Sequence, residues 1–156
     1  MEERRLAMKV AIASVFAALY ASITVISAPI SFYAIQVRVS DSLLALSLLF
    51  GLPVVIGTSL GCFIANLLGP FGVVDAIGGS LANLVATYIG WKFRKRRALA
   101  LAQMPFTVST IVSLYLYKLV NFPFSVTFVY VLFGSIISIV LMGSLLLKLL
   151  SRYYQD

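Results

Sequence analysis

Residues 42–72 read SLLALSLLFGLPVVIGTSLGCFIANLLGPFG, an apolar run interrupted by Gly51 and Pro53. How that interruption is read decides the fold. If 42–68 were one kinked helix, the chain would hold five long apolar segments. Lysine and arginine would then divide four on one side (Arg4, Arg5, Lys9, Lys118) and eight on the other. If the interruption separates two helices, there are six. Ten basic residues (Arg4, Arg5, Lys9, Lys92, Arg94, Lys95, Arg96, Arg97, Lys148, Arg152) then face two (Arg38, Lys118). Short loops rich in Lys and Arg stay in the cytoplasm, so the lopsided division favours six crossings with both termini cytoplasmic. A short second segment that dips in and returns gives the same topology, so a re-entrant hairpin stays open.

Working outward, segment two is expected over Ser42–Phe50, with Ser40 or Asp41 as its cap, and segment three over Pro53–Leu68. Gly69-Pro70-Phe71-Gly72 reads as a turn. Asp75 is placed to cap segment four, Ala76 to about Trp91. Segment one runs from about Leu6 to Ile26, and Pro29 ends it. Residues 28–39 (APISFYAIQVRV) read as an extended, semi-polar connection. Segments five (about Leu99 to Tyr117) and six (Phe124–Leu150) flank the break at Asn121-Phe122-Pro123. The first segment is read as a retained helix, since it is long and further apolar segments follow.

Composition agrees. Of 156 residues, 62% are hydrophobic and 11% charged. A water-soluble domain typically has about 25% charged residues, so too few are present to cover a wet surface. The expected fold is an all-α integral membrane protein: one domain, 1–156, a compact bundle of six transmembrane helices in the plasma membrane. The net charge of +7 sits at the chain ends and in Lys92–Arg97, which suits a membrane-surface topology signal better than a nucleic-acid patch.

The same composition excludes much chemistry. Histidine is absent, and Cys62 is the single cysteine. Glu2, Glu3 and Asp156 are terminal, which leaves Asp41 and Asp75 as the plausible carboxylate pair. There is no GxxxxGK[ST] phosphate loop and no nucleophile with a matching base. No catalytic residue, metal site or cofactor is expected. A channel is a poor reading, because the polar residues gather at one face instead of lining a path.

Small residues recur every four positions: Gly57, Gly61, Ala65, Gly69 on segment three, and Gly78, Ala82, Ala86, Gly90 on segment four. That spacing shares a helix face and permits close backbone approach in lipid. Ala13, Ala17 and Ala21 form a similar stripe on segment one. It suits either packing inside the bundle or contact with another protein. Beside the small stripe on segment four runs a polar one, Asp75, Gly79, Asn83 and Thr87. By the six-crossing topology, Gln36, Arg38, Asp41, Asn66, Asp75, Lys118 and Asn121 lie at or near the external face. Capping, local ion pairing and snorkelling account for several of them singly. Their convergence at one end of an apolar bundle points to a ligand site.

The stretches APISFYAIQVRVSDSL (28–43) and GTSLGCFIANLLGPFGVVDAIGGSLANLVA (57–86) resemble the QueT family, substrate-binding S components of energy-coupling factor transporters. The resemblance implies a six-helix subunit that captures a queuosine precursor, a 7-deazaguanine base, outside the cell. A transmembrane coupling subunit and two cytoplasmic ATPases would drive uptake. Gln36, Arg38, Asp41, Asn66, Asp75 and Asn83 are then expected around the base, with Phe32 or Tyr33 closing over it and Asp75 the first choice of carboxylate. Ala13, Ala17 and Ala21 are expected to face the coupling subunit. A structural membrane protein without a ligand, or a self-sufficient small oligomeric transporter, are the alternatives.

Overall fold

The computed structural model describes residues 2–31 and 37–153. Apart from short connections they are helical, in six main segments: α1 Glu2–Ile26, α2 Val39–Phe50, α3 Leu52–Leu67, α4 Gly72–Lys92, α5 Arg97–Val120 and α6 Phe124–Tyr153. Four of them, α1, α4, α5 and α6, are long and apolar enough to cross a membrane, and the chain is a membrane protein. Large apolar side chains such as Leu19, Ile56, Ile77, Phe106 and Phe133 lie exposed on the outside of the bundle. That surface is stable only against hydrocarbon.

Gly51 ends α2 and begins α3. Its backbone has φ +70°, in the left-handed region where a side chain is strained, and a Cβ there would meet the Trp91 indole nitrogen at 3.0 Å. Pro53 fits the first turn of α3, where no intrahelical donor is lost. The interruption therefore separates two helices.

α2 is shorter and differently wound than its neighbours. Val39–Leu46 is a 3-10 helix and Ser47–Phe50 is α-helical. At about 2.0 Å per 3-10 residue and 1.5 Å per α residue, its twelve residues reach about 22 Å, against about 18 Å for a pure α-helix. Every residue from Ser40 to Leu48 is buried, Ser40, Asp41, Ser42 and Ser47 among them, so this helix is surrounded by the others. α1, α3, α4 and α6 enclose it. Helices α1, α3, α4, α5 and α6 pack in that order, each on the next. α2 fills the seam between α6 and α1. Two parts of α6 meet it, the π-helical Ile136–Met142 and the α-helical stretch from Gly143 onward, and a Cβ on Gly143 would lie 2.9 Å from the Ala45 Cβ.

The small-residue stripes lie at helix contacts. A Cβ at Gly57 or Gly61 would stand 2.5 Å from the carbonyl oxygen of Ala13 or Ala17, so α3 presses its backbone onto α1. Gly78 receives the Tyr115 ring and Gly90 the Met104 methyl in the same way, drawing α4 onto α5. Gly69 lies in the turn after α3, outside that contact.

The ends of the elements differ from expectation in an informative way. α2 starts at Val39, with Arg38 before it, and Asp41 lies inside its first turn. α4 starts at Gly72, three residues before Asp75. No side chain caps either helix. The carboxylates expected as caps are used elsewhere. After α1, Ala28–Ser31 forms a helical turn where an extended connection was expected. The hydroxyls of Ser27 and Ser31 stand 3.0 Å apart across it.

Candidate functional site

Inside this apolar bundle, six helices bring polar groups to one place. From α1 come Tyr20 and Thr24, one turn apart and fully buried. The Tyr20 hydroxyl donates to Asp41 Oδ1 at 2.5 Å. Thr24 shares a hydrogen bond with Ser40 at 2.6 Å. α1 and the start of α2 are thus joined twice, through residues 21 and 16 positions apart in sequence.

Arg38 stands at the head of α2 and reaches toward α3 and α4. Its Nη2 lies 3.7 Å from Asp75 Oδ2, an ion pair longer than a hydrogen bond, and its Nη1 donates to Cys62 Sγ at 3.6 Å. The other Asp75 oxygen accepts a 2.6 Å bond from the Tyr115 hydroxyl of α5. Asn66, one turn beyond Cys62 on α3, donates through Nδ2 to the Asp75 carbonyl at 3.0 Å. Gly79 makes room for this crossing: a Cβ there would meet Asn66 Nδ2 at 2.5 Å and Cys62 Sγ at 3.3 Å.

On the α5 and α6 side of Arg38 lies a small cavity of about 10 Å³, on the order of one water. Arg38, Asp41, Asn83 and Ser135 give it polar walls, and Val108, Val112 and Val131 apolar ones. Asn83 is 2% exposed, and its Nδ2 has no hydrogen-bond partner among the described residues. Asn66 Oδ1 is likewise buried without one. Buried polar atoms nearly always find partners, and in a membrane interior an unmet one is costlier still. The unmet Asn83 amide in the cavity wall marks a place where something else supplies the partner.

The residues anticipated from sequence therefore take different positions. Arg38, Asp41 and Asn83 line the cavity. Asp75 pairs with Arg38 from behind and Asn66 bonds the Asp75 carbonyl, so Asp41, not Asp75, is the carboxylate in the cavity wall. Gln36, Tyr33 and Phe32 lie outside the described residues. Lys118 is exposed on α5, its ammonium 5.8 Å from the Tyr117 ring. Asn121 is an exposed left-handed residue ending α5. Both are apart from the cluster. Thr87, the last member of the polar stripe on α4, is buried and bonded to the Asn83 carbonyl at 2.6 Å.

Tyr20, Thr24, Tyr115 and Ser135 are members that the sequence did not single out, and Ser40 was expected only as a cap. The overlooked sign was position. Tyrosine in a membrane helix favours the interface, whereas Tyr20 lies six residues short of the end of α1, on a face shared with Phe16 and Thr24. No group of three or more His, Cys, Asp or Glu side chains among the described residues could hold a metal ion.

A second feature lies on the outside. Ala13, Ala17 and Ala21 are half-buried and form one wall of an apolar groove of about 780 Å³ between α1 and α3. Leu52, Ile56, Leu60 and Ile64 supply the opposite wall.

Compared with known proteins, the chain matches the model of one family over residues 10–152, a family described as QueT transporter. No curated protein and no solved structure matches it.

Proposed function

The chain belongs to the QueT transporter family, and on that premise we propose that it is the substrate-binding S component of an energy-coupling factor importer. It captures a 7-deazaguanine queuosine precursor at the external face of the plasma membrane. The observation that carries this reading is the buried cluster itself. Arg38, Asp41, Asp75 and Asn83 are ionisable or amide side chains at least nine-tenths buried in an apolar bundle, at or next to a cavity into which the unmet Asn83 amide faces. Ionisable groups at membrane depth are expensive and serve function by default.

The chemistry suits a guanine-type edge, which sets N–H donors beside a carbonyl. Asp41 takes the donors, and Arg38 or the free Asn83 amide supplies the carbonyl. A flat base is larger than the present cavity, so binding widens it. The valines at 108, 112 and 131 are the walls free to part, because no hydrogen bond of their side chains opposes it. Gln36 and Tyr33 complete the site from the segment before Arg38, with Phe32 as the other aromatic of that segment.

Energy comes from elsewhere. A transmembrane coupling subunit and two cytoplasmic ATPases drive uptake, in keeping with the missing phosphate loop. The coupling subunit docks on the Ala13, Ala17 and Ala21 stripe. Six crossings with cytoplasmic termini place the ten-residue basic majority inside, and the separation of α2 from α3 at Gly51 supports that count.

Calorimetry on detergent-solubilised protein with 7-deazaguanines tests the reading. The wild type should bind, and Asp41→Asn should weaken binding about ten- to hundredfold, since a charge-assisted hydrogen bond is worth about 1.5–3 kcal/mol. No binding of any 7-deazaguanine by folded wild type removes the substrate assignment.

A further inference from the structure

The net positive charge of the molecule lies at one end of the bundle. Trp91, near the close of α4, packs at the α2–α3 boundary, where a Cβ on Gly51 would stand 3.0 Å from its indole nitrogen. The basic run that follows Trp91 therefore lies at the head of α3. α3 runs beside α1 in the same direction, Gly57 on Ala13 and Gly61 on Ala17, which brings Arg4, Arg5 and Lys9 to the same end. α6 runs beside α2, from Ser135 near Asp41 to Gly143 at Ala45, and carries Lys148 and Arg152 there too. Ten cations gather at this end, with Glu2 and Glu3 as its acids among the described residues. At the far end Arg38 and Lys118 are matched in number by Asp41 and Asp75.

The densest part is Lys92–Arg97, five basic residues in six, all exposed. Lys92 Nζ stands 5.5 Å from both the Tyr88 and the Trp91 ring, and the Arg94 guanidinium 5.3 Å from Trp91. Arg94 Nη1 also donates to the Trp91 carbonyl at 3.3 Å. Lys95, Arg96 and Arg97 make no hydrogen bond, ion pair or ring contact through their side chains among the described residues. Phe93 and Leu99, half-exposed, flank them. Tyr and Trp favour the headgroup level of a bilayer, and Lys and Arg at a helix end reach the same level. Retention on one side of a membrane needs charge alone. Cations interleaved with interfacial aromatics, and left without acids, match a layer of anionic phosphates. We propose that the segment between α4 and α5 binds anionic phospholipid, its phosphate on Lys95, Arg96 and Arg97 and its acyl chains against Phe93 and Leu99. Lipid held there steadies Trp91 over Gly51, so an anionic leaflet stabilises the bundle.

Thermal unfolding of the detergent-solubilised protein, titrated with phosphatidylglycerol or with phosphatidylcholine of the same acyl chains, tests the proposal. Phosphatidylglycerol should raise the midpoint more than phosphatidylcholine. The difference should shrink at about 1 M salt, where charges are screened within about 3 Å. In the triple variant Lys95→Gln, Arg96→Gln, Arg97→Gln, the phosphatidylglycerol concentration giving half the rise should increase at least about tenfold, since each basic residue near an anionic surface contributes about fivefold. The double variant Arg4→Gln, Arg5→Gln should stay close to wild type. Equal midpoints of the wild type in the two lipids overturn the proposal without recourse to any variant. A folded triple variant that keeps the wild-type preference for phosphatidylglycerol overturns it as well. An equal rise with short single-stranded DNA at matched phosphate concentration overturns the lipid assignment in favour of a nucleic-acid surface.

Discussion

The Tyr115 hydroxyl donates a 2.6 Å hydrogen bond to Asp75 Oδ1, forty residues away in sequence. Tyr115 also lays its ring in the space left by Gly78, where a Cβ would come within 2.3 Å of it. The one side chain thus joins α4 to α5 both by packing and by charge. Its partner carboxylate holds Arg38, so a residue on α5 helps fix the head of α2.

Tyr115→Phe keeps the ring and removes the hydroxyl. It leaves a buried carboxylate oxygen unmet, which costs about 1–3 kcal/mol. Thermal unfolding in detergent should show a lowered midpoint. An unchanged midpoint would mean that water reaches Asp75 and that the bond contributes little.

Gly79→Ala puts a Cβ 2.5 Å from Asn66 Nδ2 and 3.3 Å from Cys62 Sγ. The backbone of α4 cannot retreat far with α5 behind it, so Asn66 must turn away from the Asp75 carbonyl. Ligand affinity should fall, whereas Ser80→Ala, on the exposed side of the same helix where the hydroxyl bonds only the Ile77 carbonyl, should leave it unchanged. Equal affinities in both variants would place the ligand away from this crossing.

Phe122 and Arg96 are exposed at opposite loops, after α5 and before it. In a Cys62→Ala background, Phe122→Cys should react with an impermeant thiol reagent applied outside intact cells, and Arg96→Cys only after permeabilisation. The reverse pattern would invert the topology.

Ala17→Trp places an indole in the groove between α1 and α3. A large side chain there holds an approaching helix away. Uptake in whole cells should be abolished, while ligand binding to the isolated subunit stays within about twofold. Loss of binding in a folded variant would mean that the stripe serves the bundle interior.

Much of the fold was legible in the chain. Gly51-Leu52-Pro53 announced a helix boundary because glycine tolerates the left-handed backbone there and proline fits a first turn, both local effects. The turn at 69–72 and the break at 121–123 were legible for the same reason. The polar stripe on α4 showed itself through spacing alone, since Asp75, Asn83 and Thr87 repeat at helical intervals and all prove buried. The roles within the site were less visible. Asp41 and Asp75 near helix starts look like caps in a one-dimensional reading, and their real partners, Tyr20 and Tyr115, lie on other helices. The order of the two carboxylates depends on which side of Arg38 the cavity opens, a matter of tertiary packing. The tight winding of α2 left no mark in a run of Leu, Ser and Ala that suits an α-helix equally well.

That winding has a mechanical consequence. The eight 3-10 residues of α2 are about 4 Å longer than the same residues in α form, and the π stretch of α6 beside them is correspondingly overfilled, with more residues per unit length than an α-helix. A stretched spring lies against a compressed one. If either relaxes to ordinary pitch, Asp41 on one and Ser135 at the edge of the other shift relative to each other, and the cavity between them changes size with every backbone hydrogen bond still made inside a helix. In a bilayer, where unbonded backbone is prohibitive, stored pitch is a currency of motion that the membrane permits.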